Sequence, residues 1–479
     1  MDRRGFLKTA AVAGLALSPV VAQALEAVKP EARPNFLFVL IDDLRYDLVG
    51  CTGHPYAKTP NIDRIAKNGV KFANAFVTTS LCSPSRASFL SGKYVHTHGV
   101  WNNVQRIELD PAIDTWPKLL RKAGYDTAFI GKWHQGKGSY PRPGFNHWVS
   151  FDGQGVYMNP DINIDGKMRK MDGAYITDVL NDAAMEWLRK DRTSPFCLYL
   201  SHKAIHEPFR PAERHKDLYI GQKAHHPPSF NDNLEGKPVW LKKTAKVVAP
   251  DKQKVLENWE EQTRMQLRTL AAVDEGLGKI LDYLAQAGKL DDTVIAFAGD
   301  NGFYQGEHGL GDKRSAYEES MRIPLLMSYP KMAKPGGTIK EMVLNIDVAP
   351  TMLDLAGVKI PEGMQGKSMV PLLKGKRAEW RKSFLYEYMQ EKRYPQTPNT
   401  LAVRTDRWKY IRYPGADDIE ELYDLKNDPY ELKNLASDPA HSSALAEMKK
   451  EMDKLMVETG GKGWWDKYLT DGAASAATQ

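Results

Sequence analysis

Two continuous apolar runs, Asn35-Phe-Leu-Phe-Val-Leu-Ile41 and Thr293-Val-Ile-Ala-Phe-Ala298, constrain this chain more than any other feature. A strand with no polar face must be covered on both sides, which is the setting of a parallel sheet between two layers of helices. Each run also ends in acid: Asp42-Asp43 follows the first and Gly299-Asp300-Asn301-Gly302 the second. Ligands of open α/β sheets bind outside the carboxyl ends of the strands. Either acidic group alone reads as a solvated turn, but together they would deliver four oxygen ligands. Asp and Asn oxygens select a hard divalent cation, Ca2+ ahead of Mg2+ where protein oxygens crowd out water.

The same design of strand followed by polar cluster recurs. Residues 125–130 read as a strand that runs into Gly131-Lys132-Trp133-His134, where an extended backbone would put Lys132 and His134 on one face. The apolar stretch 196–200 leads to Ser201-His-Lys-Ala-Ile-His-Glu-Pro208, which offers His202, Lys203 and His206. Helices are predicted over residues 59–69, 116–124 and 251–288. The stretch 209–250, rich in Pro, His, Asn and Lys, reads as an irregular substrate-binding insertion. The loop 306–313 is glycine-rich and ends in Lys313, but it lacks the spacing of a nucleotide-binding P-loop; His308 within it reads as a packing residue. Beyond residue 373 the pattern changes to antiparallel strands at 384–389, 401–405, 408–413 and 421–425. A helix with a core stripe of Leu445, Met448, Met452 and Leu455 closes the chain, ahead of a tail from Asp471 read as disordered.

The chemistry-bearing stretch is Leu81 to Gly92, LCSPSRASFLSG. Ser83-Pro84 offers an N-cap and a proline suited to a first helical turn, and Cys82 and Arg86 then lie about one turn apart. An anion is favoured at such a helix start, and a guanidinium fork suits a tetrahedral oxyanion. Cys82, Pro84, Ser85, Arg86, Ala87 and Ser88, with Leu90-Ser91-Gly92, resemble the first signature of the type I sulfatases of the alkaline phosphatase superfamily. Gly-Tyr-x-Thr-x-x-x-Gly-Lys-Trp-His, residues 124–134, is similar to their second signature. Residues 404–410 and 422–435 resemble their C-terminal subdomain.

That resemblance implies an alkaline-phosphatase-like α/β sandwich, a large mixed sheet between helices, with a small C-terminal antiparallel α+β subdomain. It implies a catalytic domain over 35–375, the subdomain over 376–470 and a tail over 471–479. It also implies that Cys82 is oxidised to formylglycine, whose hydrate is the nucleophile, and that Asp42, Asp43, Asp300 and Asn301 bind Ca2+, completed by the oxygen at position 82. Arg86, Lys132 and Lys313 would then offset charge on the sulfate, His206 with Lys313 would protonate the leaving oxygen, and His134 would deprotonate the second hydroxyl. Two other readings are an arylsulfatase and a phosphonate or phosphate monoester hydrolase on the same scaffold. A third, a non-catalytic glycan binder, is disfavoured because every catalytic position is filled.

The start of the chain joins Arg3-Arg4 to Phe6-Leu7-Lys8, a modestly apolar run and Ala22-Gln23-Ala24, which reads as a twin-arginine export signal over residues 1–24 with no stable membrane anchor. Its removal lowers the formal charge from +6 to +4, since Arg3, Arg4 and Lys8 leave with Asp2. So mild a balance gives no support to a nucleic-acid partner. The expected partners are the twin-arginine machinery, a formylglycine-generating enzyme and a sulfated carbohydrate substrate, a 6-sulfated amino sugar among the candidates, bound by residues 209–250 and by the C-terminal subdomain. The expected location is the periplasm or outside the cell. Of Cys51, Cys82 and Cys197, the last sits in an apolar run and reads as a buried free thiol, although a Cys51–Cys197 pair stays open.

Overall fold

The structure, a computed structural model, describes residues 33–104, 107–223, 226–245 and 252–475. The export signal read over residues 1–24 therefore lies outside the described residues. Among the described residues twelve strands precede residue 345: β1 (Asn35–Ile41), β2 (Val70–Phe76), β3 (Asp126–Lys132), β4 (His147–Phe151), β5 (Asp161–Ile164), β6 (Lys167–Lys170), β7 (Phe196–His202), β8 (Thr293–Gly299), β9 (Tyr304–Gln305), β10 (Gly311–Asp312), β11 (Leu325–Ser328) and β12 (Gly337–Leu344). All but the β9–β10 ribbon join one ten-stranded sheet, ordered β12-β2-β11-β8-β1-β7-β3-β4-β5-β6. The two apolar runs, β1 and β8, lie at its centre in parallel register, Phe36 beside Val294 and Ile41 beside Gly299. β11 pairs antiparallel with both β2 and β8, so the sheet is mixed.

Side-chain alternation explains why β1 has no polar face. Phe36, Phe38 and Leu40 enter one hydrophobic cluster with the helices Cys82–Ser91, Trp116–Lys122 and Val348–Leu355. Leu37, Val39 and Ile41 enter another with Pro60–Lys67, Ile176–Leu188 and the long helix Lys252–Gln286. Phe38 packs against Phe89 of the cysteine helix at 5.7 Å between centroids, and against Tyr199 of β7 at 4.8 Å. Fully burying such a ring contributes about 2–3 kcal/mol. This packing seats the helix that carries Cys82 on the strand that carries Asp42.

The chain then forms a four-stranded antiparallel sheet, β13 (Ser383–Tyr388), β14 (Thr400–Thr405), β15 (Trp408–Arg412) and β16 (Glu421–Asp424), in that order. The helix Ser442–Glu458 buries Met448, Met452 and Met456 in the third hydrophobic cluster, close to the expected stripe. A last helix, Gly461–Ser475, carries the backbone into the stretch read as a disordered tail; residues 476–479 lie outside the described residues. Cys51, Cys82 and Cys197 are all free thiols, and Cys197 is fully buried as expected. Among the described residues no helix is long and apolar enough to cross a membrane.

Candidate active site

Because β1 and β8 are neighbours in register, Asp42-Asp43 and Asp300-Asn301 emerge side by side. Carboxylate oxygens of Asp42, Asp43 and Asp300 lie within 4.8 Å of one another. The Asp43 N–H donates to Asp300 Oδ1 at 2.9 Å, and Asn301 Nδ2 donates to Asp43 Oδ1 at 2.8 Å. Gly299 is required here, since a Cβ would stand 2.2 Å from the Leu44 carbonyl oxygen.

Cys82 opens its helix directly, with Leu81 as N-cap. This corrects the expected cap: Ser83 lies inside the first turn, and its hydroxyl donates to the His134 carbonyl. Arg86 is 2% exposed and directs its donors at the protein. Nε reaches Asp300 Oδ2 at 2.9 Å, and Nη1 reaches the Lys132 carbonyl at 2.8 Å and Ser201 Oγ at 2.6 Å. In this geometry Arg86 braces the acidic cluster, and it is not among the side chains lining the cleft above it.

Lys132 and His134 do not share a face through an extended backbone. The strand ends at Lys132, and His134 takes a left-handed φ of 58°. Lys132 is buried and its ammonium contacts Asp42 Oδ2 and, at 2.5 Å, Gln154 Oε1. Gly131 before it has φ 125°, and a Cβ there would fall 1.7 Å from the Ser201 carbonyl oxygen, so only glycine lets β3 end this close to β7. His134 lines the cleft and its Nδ1 is buried without a hydrogen-bond partner. Lys313 contacts Asp43 Oδ1 and stands 3.3 Å from Cys82 Sγ. His206 Nδ1 donates to the Glu207 carbonyl at 2.8 Å, which leaves Nε2 facing Asp43 Oδ2 at 3.7 Å. Asp43, His134, Asp312 and Arg314 all hold positive φ at this one place, a concentration of backbone strain typical of functional sites.

Electrostatics match that crowding. Burial would raise the Asp42 carboxyl, but Lys132 and then His206 hold it well below its ordinary value. Asp300, pushed by burial and by the Asp42 charge, rises to about 7. Burial disfavours the Lys313 ammonium, yet Asp43 holds it well above its ordinary value. Burial and Lys132 push His134 well below its own, so its imidazole is neutral. Burial lifts the Cys82 thiol to about 12, which leaves an unmodified cysteine protonated and a poor nucleophile near neutral pH.

The donor set fits a divalent cation. Asp42 Oδ1 and Asn301 Oδ1 are buried without a hydrogen-bond donor, and three carboxylates crowd one point. Oxygens so placed, one of their carboxylates raised by burial and by its neighbour's charge, form a possible metal-binding cluster.

Above this floor opens a cleft of about 1440 Å³. Asp43, His134, His206 and Lys313 reach it from the expected motifs. Of its walls, Gln390–Tyr394 and Trp464, Lys467 and Tyr468 of the last helix belong to the C-terminal subdomain expected to bind substrate, whereas Trp101–Val104 and Gln154 were not foreseen. Among the described residues, the stretch 209–245 supplies none of the lining, which corrects its reading as the substrate-binding insertion. It packs instead: Phe230 on Trp259, Asp232 on His308 Nδ1 at 2.7 Å, and Lys237 on Tyr423 at 2.8 Å. His308 is indeed a buried packing residue, stacked on Tyr317. His202 is buried at the end of β7 with neither ring nitrogen hydrogen-bonded, and it does not line the cleft.

The Sulfatase family profile matches residues 34–358, and a profile described as N-sulphoglucosamine sulphohydrolase, C-terminal, matches 306–458. The chain is 34% identical to the N-acetylglucosamine-6-O-sulfatase of Bacteroides thetaiotaomicron, over 89% of this chain and 86% of the relative. It is 33% identical to the human N-acetylglucosamine-6-sulfatase, over 84% and 81% of the two chains. A solved structure of a protein in complex with its substrate D-glucosamine-2-N,6-O-disulfate superposes with a TM-score of 0.84 at 31% identity, covering 91% of this chain and all of that one. With a large mixed sheet, a small antiparallel sheet and these matches, the chain has the alkaline-phosphatase-like fold and belongs to the sulfatase family, as a sulfuric ester hydrolase.

Proposed function

We propose that the substrate is a 6-sulfated amino sugar, that the resident cation is Ca2+, and that Cys82 acts as formylglycine. The observation that carries the sugar reading is the cleft wall beside Lys313. Asp312, Arg314 and Glu391 form a chain of ion pairs there, with Arg314 Nε to Glu391 Oε2 at 2.7 Å, and such paired acids and bases suit ring hydroxyls better than an aryl group. The names of the relatives at 33–34% identity support the same substrate class.

Asp42, Asp43, Asp300 and Asn301 would hold the cation, which when bound offsets negative charge on the ester oxygens. Lys132 and Lys313 add fixed positive charge at the floor. Arg86 keeps Asp300 oriented. His206 Nε2 faces the floor, and an anionic ester brought against it favours the protonated imidazole, from which the departing sugar oxygen takes its proton; Lys313 stays charged throughout. His134, neutral, accepts a proton at the side of residue 82. Formylglycine supplies two hydroxyls on one carbon, which a serine cannot.

Screening sulfated mono- and oligosaccharides against an aryl sulfate and the matching phosphate esters tests this reading by kcat/KM. Amino-sugar 6-sulfates are expected to lead. A clear lead for the aryl sulfate would replace the sugar reading with an arylsulfatase, and a lead for phosphate would replace it with a phosphomonoesterase. We further propose export by the twin-arginine route to the periplasm. A double Arg3→Lys, Arg4→Lys variant should leave the enzyme in the cytoplasm on cell fractionation, and unchanged export would contradict it.

A further inference from the structure

A cleft of about 1440 Å³ exceeds the roughly 300–1000 Å³ that encloses a drug-sized ligand, and the floor chemistry occupies only part of it. The remaining wall has its own chemistry. Trp464 and Tyr468 lie one turn apart on the last helix with ring planes 9° from parallel, and Trp101 meets Tyr468 edge-on at 5.8 Å. All three are half-buried and line the cleft. The helix that presents them is fixed, since Trp465 Nε1 donates to Glu387 Oε2 at 3.0 Å and His96 bridges Glu387 to the Thr459 carbonyl. Lys392, Arg393 and Lys467 line the same cleft, exposed and without an ion pair among the described residues. The carboxylates of the inner cleft are already committed, Asp43 to Lys313 and Asp312 and Glu391 to Arg314. Glu207 and Asp471 are the acids without an ion pair among the described residues that face these three cations and Lys137; over the whole lining six cationic side chains stand against five carboxylates, so the cleft carries a small net positive charge.

Aromatic faces pack on the apolar face of a sugar ring, and unpaired cations recruit anions. We propose that this wall is a second sugar subsite. It binds the residue adjoining the one that loses its sulfate, and it prefers that neighbour to carry an anionic group, sulfate or carboxylate. The proposal rests on the amino-sugar reading above and adds that the working substrate is a chain of an anionic glycan. Binding energy from the neighbour would be spent at the reacting centre, which a lone monosaccharide cannot supply.

The test uses the full-length modified enzyme with four substrates: the 6-sulfated amino sugar alone, and disaccharides joining it to a neutral, a uronic acid or a sulfated neighbour. The quantity read is the ratio of disaccharide to monosaccharide kcat/KM, in which any loss of folded enzyme cancels. Anionic neighbours should raise the ratio about tenfold, with the advantage shrinking as salt is added. The exposed double variant Lys392→Glu, Arg393→Glu should bring the anionic ratios down to the neutral one, and Trp464→Ala should lower all three. Whichever anionic neighbour leads identifies the preferred group. A wild-type ratio near one, or ratios unchanged in both variants, overturns the subsite while leaving the amino-sugar reading in place. Failure to release sulfate from any of the four overturns both.

Discussion

The floor and the wall of one cleft are built on opposite principles. At the floor, Asp42, Asp43, Asp300, Lys132, Lys313 and Cys82 are all buried at strand ends or at the start of a buried helix, and each charge is paired with another. On the wall, Lys392, Arg393 and Lys467 are exposed and have no ion pair among the described residues, and the aromatic rings that line the same cleft are half-exposed. Burial makes the floor rigid and electrostatically strong, while exposure leaves the wall free to meet a variable ligand. The contrast teaches that bond-breaking and selection are separable here, and changes in the two regions should have different signatures.

The largest effect should come from Cys82→Ser. A serine hydroxyl has no second hydroxyl on its carbon through which sulfate is expelled, so turnover should fall on the order of 10⁴-fold or more while the melting temperature stays close to wild type. Substantial steady-state turnover by the serine variant would dissolve the special status of the floor. Next come Asp42→Asn and Asp300→Asn, each expected to lose the bound divalent cation and about 10³-fold in kcat. Metal analysis of the purified variants checks this, and a full complement of cation with normal activity would show that the two acidic clusters do not share one ion. His134→Gln should cost about 10²-fold in kcat with little change in KM, since a positioned base acts on the reacting proton and not on binding.

The smallest effect on catalysis should come from His202, just beneath the floor. Burial depresses this imidazole to about 3, so the folded state takes up a proton far less readily than the unfolded chain. Its contribution favours folding above about pH 6.5 and is lost as pH falls from there toward 3. His202→Leu should therefore move the acid-unfolding midpoint to lower pH and leave kcat at neutral pH nearly unchanged. An unmoved midpoint would mean that another buried group controls acid stability.

What could be read from the chain follows the same division. The strands β1 and β8 and their acidic ends were legible because complete burial writes an unbroken apolar run, and each run breaks directly into a short polar motif. Cys82, Lys132, His134, His206 and Lys313 were found through those local motifs. The use of Arg86 was not, because its partners Asp300 and Ser201 are more than a hundred residues away in sequence. The wall was legible only as a part played by the C-terminal subdomain, because its individual residues near 101, 154, 390 and 464 carry no shared periodicity. The stretch 209–245 looked free because irregular; its Asp232 and Lys237 turn out to be tied to His308 and Tyr423 in the interior.

The central claim is that the floor works through a modified Cys82. Trypsin should release the peptide Phe72–Arg86 from active protein, and its intact mass decides the question. Formylglycine exchanges the sulfur and two hydrogens of the cysteine side chain for one oxygen, and the account predicts that this lighter peptide appears in proportion to specific activity. Fully active enzyme whose peptide keeps the unmodified thiol mass would contradict it.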